Sequence, residues 1–163
     1  MLGLLKGRHE AKDKERDRLE GRRAKRIETR HAAYTVFMAQ SRTALVKLTA
    51  ALTVPVSAPE DEWHDAITDA RNAAEEMYDG YVDLALAGPE SFAKEAERLW
   101  QRAIRAADQV ETLWSRRDPE ESGATVTSLF VDEDPDRLFE LVEQQKKVIG
   151  LARVQLGGDV IDT

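Results

Sequence analysis

Cysteine is absent from the chain, and that removes disulfides, thiolate metal sites and a catalytic thiol together. Long apolar runs are missing as well. The longest stretch free of Asp, Glu, Lys and Arg extends from Leu48 to Pro59, too short for a bilayer span, which takes about 20 apolar residues. The apolar opening Met1-Leu2-Gly3-Leu4-Leu5 precedes its charges, whereas a secretory signal places the charge first, so a cytoplasmic location is the expectation. Strand-like alternation is nearly absent. No Gly-rich turn precedes a Lys-Ser or Lys-Thr pair, so a phosphate-cradling loop is excluded. No nucleophile elbow surrounds any serine, and only 3 histidines exist to act as a base.

What remains is charge and helical periodicity. The 163 residues are 34% charged and carry a net −7, and the charge is unevenly placed. Residues 1–30 are net +5, residues 59–89 net −8, and residues 119–163 net −6. A basic arm therefore leads an acidic body. Four stripes of apolar residues repeat at the three- and four-residue spacing that sets one face of a helix. They begin at Ile27 (with His31, Tyr34, Met38, Ser41, Leu45, Leu48 and Leu52), at Trp63 (Ile67, Ala70, Ala74, Met77, Tyr81, Leu84), at Phe92 (Ala96, Leu99, Ala103, Ala106, Val110, Leu113) and at Leu138 (Val142, Gln145, Ile149, Ala152, Leu156). The fold class expected is all-α, a four-helix bundle over residues 31–163 with a long, charged N-terminal helical arm over residues 1–30.

Punctuation places the helices at about 27–53, 59–87, 90–117 and 135–156. Val54-Pro55 closes the first, because a residue before proline is pushed out of the α region. Ser57 and Glu60 fit a capping box. Gly88 suits a left-handed cap, with Pro89 opening the next helix. Asp118-Pro119 closes the third helix, Asp134-Pro135 opens the fourth, and Gly157-Gly158 ends it. An acidic connection over 119–133 contains Ala124–Val131, the one piece expected to lie extended. The short Gly88-Pro89 link makes its helices antiparallel. That pairs Ala74 with Ala103, Ala70 with Ala107, Met77 with Trp100, Ile67 with Val110 and Trp63 with Trp114.

Residues 26–116 also resemble a set of small, all-helical proteins of unknown function from high-GC actinobacteria. The likeness lies in the His31-Ala32-Ala33-Tyr34 start, the Leu86-Ala87-Gly88-Pro89-Glu90 helix turn and the run Ala93 to Ala107. Sixteen Arg against eight Lys, and 22 Ala, suit such an origin. The resemblance implies a helical bundle and no catalytic residues.

Few residues suggest chemistry. Glu28-x-x-His31 has the spacing of a di-iron helix pair and Asp61-x-x-His64 is a weaker variant. Such a site needs four inward carboxylates, and none of the four stripes holds an Asp or Glu. No metal, cofactor, catalytic residue or small-molecule substrate is expected, and the protein is read as not an enzyme. Two surfaces stand out instead. The basic arm offers Lys12, Lys14, Arg16, Arg18, Arg22, Arg23, Lys25 and Arg26. The second helix offers Asp61, Glu62, Asp65, Asp69, Glu75, Glu76, Asp79 and Asp83. The first expectation is a self-associating interaction module (a homo-oligomer), the arm of one copy lying on the acidic helix of another or folding back on its own. The alternative is a nucleic-acid-associated protein using the arm on phosphates. No aromatic interleaves the arm, so single-strand stacking has no platform. Leu2, Leu4 and Leu5 are too small an anchor for a membrane surface.

Overall fold

A computed structural model describes residues 2–116 and 135–155, with side chains over 12–116 and 139–155. It contains four helices: α1 (Leu2–Thr53), α2 (Glu60–Ala87), α3 (Glu90–Ser115) and α4 (Pro135–Gln155). The all-α bundle with an N-terminal helical extension is the observed architecture. α1 and α2 form an antiparallel pair through the turn at 54–59, and α2 and α3 form a second through Gly88-Pro89. α3 lies between α2 and α4 and also touches α1. This explains why its apolar arc is so wide: Phe92, Ala96, Leu99, Ala103, Ala106, Ala107, Val110, Leu113 and Trp114 are all buried.

The α2–α3 seam follows the antiparallel pairing. Trp63 and Trp114 stack with ring centroids 3.9 Å apart and planes 7° from parallel. Small residues fill the middle, and the space left beside Ala70, Ala74 and Ala103 is only about 10 Å³. Trp100 meets the rings of Tyr78 and Tyr81, at 4.9 and 6.1 Å. On the α1 side Gly80 lets α2 approach closely, for a Cβ there would strike the Gln40 side chain and stand 3.3 Å from Phe37 Cα.

Several local details differ from expectation. The capping box at Ser57 does not form. Pro59 is the N-cap, without a side-chain cap bond, because the 55–58 turn (Ala58 N–H to Pro55 O, 2.9 Å) places Ser57 too early. Gly88 is extended rather than left-handed, with φ −101° and ψ 175°. The proline that follows it disfavours the helical regions, and the Gly88 N–H still donates to Leu84 O at 2.8 Å. α3 stops at Ser115, ahead of Asp118-Pro119. In α4 the buried row is Leu141, Gln144, Val148 and Ala152: Ala152 is as expected, the other three each stand one position before Val142, Gln145 and Ile149, and the side chains of Leu138 and Leu156 lie outside those described. Val142, Gln145 and Ile149 are half-buried on its flank. In α1 Ile27 is 58% exposed, because α2 ends level with Arg30 and leaves nothing beside it. The Ala124–Val131 piece and Gly157-Gly158 lie outside the described residues.

Candidate interaction surface

α1 is one helix with two environments. From Ala33 to Leu52 it presents Tyr34, Phe37, Ser41, Ala44, Leu48 and Ala51 to the core. From Lys12 to Thr29 every side chain is exposed. At ~1.5 Å per residue, residues 2–29 carry the helix roughly 40 Å past the bundle. All eight arm cations named above lie on this projection, and it does not fold back onto α2. Among the described residues one ion pair forms within it, Arg16 to Glu20 at 3.0 Å. The other cations keep their hydration, which limits the stability they give the isolated helix.

The arm is anchored at its root. Arg30 Nε donates to the carbonyl of Ala87 at 3.0 Å, a cation on the negative end of the α2 dipole. Tyr34 stacks on Phe92 with centroids 4.5 Å apart. Burial pushes its phenol pKa up, opposed by nearby Arg30. A Cβ on Gly88 would stand 3.3 Å from that hydroxyl, so the helix turn and arm root are fitted to each other. Between them is a recess of about 610 Å³ with Arg22, Lys25, Arg26 and Arg30 on one side and Leu86 and Gly88 on the other.

The acidic surface is equally open. Asp61, Glu62, Asp65, Asp69, Glu75, Glu76, Asp79 and Asp83 are all exposed on α2. Asp69 accepts from Lys47 of α1 at 2.7 Å. Glu75 is 3.7 Å from Arg71, whose guanidinium also reaches Asp108 and Glu111 of α3, at 2.9 and 2.7 Å. The remaining six have no cationic partner among the described residues. Among the described residues no named arm cation forms an ion pair with a named acid, and the two sets meet only at the arm root, where Lys25 and Asp83 line one recess.

One polar centre went unread in the sequence. The Glu95 side chain is only 13% exposed and accepts from Gln144 at 2.8 Å, Lys147 at 3.0 Å and Arg98 at 2.7 Å. Gln144 also donates to the Glu95 carbonyl at 3.1 Å. These bonds, Gln144 foremost, hold the Glu95 carboxyl below its ordinary pKa, and they dock α4 on α3. The interruption of the α4 apolar row by glutamines was the available signal. His31 is half-buried, while Glu28 and His64 are exposed. Among the described residues no three His, Asp or Glu side chains gather as a metal site, and no helix is long and apolar enough to cross a membrane.

No family model, curated protein or solved structure matches this chain.

Proposed function

We propose that this protein is a non-enzymatic helical interaction module, which assembles with a protein partner, foremost a second copy of itself, through the basic arm and the acidic α2. One observation carries the reading: more than half of α1 projects past the bundle, and its described side chains there, from Lys12 to Thr29, are exposed. Isolated helices are marginal in water even when their propensity is high. A helix held out in this way buries nothing in its own chain, and a docked partner supplies what the bundle does not. The opposite charge on α2 supplies a matching surface. A cytoplasmic location and kinship with the actinobacterial helical set, resting on the Leu86–Glu90 turn, belong to the same proposal.

The test is the light-scattering mass of the full chain at low and high salt. Exposed ion pairs are screened with a Debye length of about 10 Å at 0.1 M salt, so the expected result is a mass above 18.3 kDa that falls as salt rises. A mass of 18.3 kDa at both salts rejects self-association. The second reading, nucleic-acid association, is favoured by the exposed cations of the arm. It requires a high 260/280 nm absorbance ratio in the same run.

A further inference from the structure

Three cations of the arm share one side of its axis. Arg18, Arg22 and Arg26 follow at i, i+4 and i+8, and so share a side. Arg22 and Arg26 line the recess against Leu86 and Gly88, so this side faces the line α2 would follow if it continued. Helical spacing sets Asp13, Asp17 and Glu20 on the opposite side. On α2 the exposed acids Glu75, Asp79 and Asp83 repeat the same i, i+4, i+8 spacing.

Resting on the self-association reading above, we propose that two copies meet by the ends from which their arms emerge. Each arm lies along the α2 of the other copy, giving two equal contacts about a two-fold axis. The arm and the α2 beneath it then run in the same direction. Arg30 is level with Ala87, which it bonds 57 residues further on, so abutting ends set arm residue n beside residue n + 57 of the second copy. That register puts Arg18, Arg22 and Arg26 beside Glu75, Asp79 and Asp83. Lys12 comes beside Asp69 and Lys14 beside Arg71, a like-charge neighbour already held by Asp108 and Glu111, while Glu15, the acid on the cationic side, meets uncharged Asn72. The chain already uses this chemistry once, where Lys47 of α1 binds Asp69 at 2.7 Å. A second copy fits better than a polyanion because its acids repeat at the spacing of the arm's cations, which offsets the repulsion that any anionic partner meets from residues 31–163, net −12.

The test uses full-length chains. Arg22→Glu/Arg26→Glu and Asp79→Lys/Asp83→Lys, each alone, are expected to raise the dissociation constant by at least about tenfold while circular dichroism shows them folded. Mixed in equal amounts they regain the dimer, since each contact is again between opposite charges. A second variant, Arg22→Cys/Asp79→Cys, forms a disulfide between copies. Within one chain Asp79 lies level with Met38, sixteen residues or about 24 Å along α1 from Arg22, far beyond the ~4.4–6.8 Å a disulfide spans. A multimeric wild type whose mass ignores the charge swaps, or that yields no such disulfide, overturns this contact and leaves self-association standing. A monomer at every salt overturns both. Co-purifying nucleic acid that is lost with Arg22→Glu/Arg26→Glu assigns the arm to that occupant and overturns the proposal.

Discussion

Two helical glycines show how far one position depends on its surroundings. Gly150 has nothing within 4 Å of where a Cβ would stand, while at Gly80 that Cβ meets Gln40 and the backbone of Phe37. Glycine inside a helix costs about 0.5–1 kcal/mol relative to alanine. Gly150→Ala is therefore expected to stabilise by about that amount, and Gly80→Leu to destabilise by about 1–3 kcal/mol through overpacking, both read by chemical denaturation. Glu95 makes a different kind of prediction. Its pKa is lowered in the folded state, so its contribution is present above the ordinary carboxylate range and is lost as pH falls through the folded value. The melting-temperature difference between wild type and Glu95→Gln is expected to be largest above the ordinary carboxylate range and to shrink as pH falls below it. An unchanged difference across that range would take Glu95 out of the acid response. Neither the close approach at Gly80 nor the bonding of Glu95 was legible beforehand, because periodicity marks which side of a helix is apolar but not how close its neighbour comes or which amide finds a carboxylate.

At the scale of elements the α2–α3 pair was the most readable, since a two-residue link leaves one antiparallel register and the alanines and tryptophans match across it. Ala103→Leu tests that seam: about 10 Å³ of space holds roughly one water, so the larger side chain is expected to cost about 1–3 kcal/mol. An unchanged melting temperature would show that the seam yields. Three positions of α4 were read one place out of phase, Ala152 excepted, for a physical reason. Its apolar arc is wide enough for two rows, and the polar Gln144 occupies the inner one because the Glu95 carbonyl and carboxylate satisfy it. The charged surfaces were readable as lists of residues, but not as sides. Which side of the arm continues the core seam depends on where α2 ends, and that is settled by Arg30 meeting Ala87 rather than by any local pattern.

For the whole molecule the arm and the bundle are separable in energy. Because the side chains from Lys12 to Thr29 are exposed, removing residues 1–29, compared at a salt and concentration that keep the full chain monomeric, is expected to lower the calorimetric melting temperature by less than about 4 °C, the shift that ~1 kcal/mol makes in a chain of this size. A larger fall would mean that the arm packs on the bundle. The continuity of α1 across the bundle boundary has one more consequence, for how its amides trade hydrogen for deuterium. Its inner half opens only with the core, whereas its outer half contains Gly21 and has no acidic residue in its first turn to hold the end. Local opening free energies within one protein range from near zero to the global value, and here both extremes occur on a single hydrogen-bonded ladder. Exchange is therefore fast up to the arm root and slow beyond it, with the step at Arg30. Capture of the arm moves that step toward the N-terminus, so the position of a protection boundary along one helix reads out occupancy.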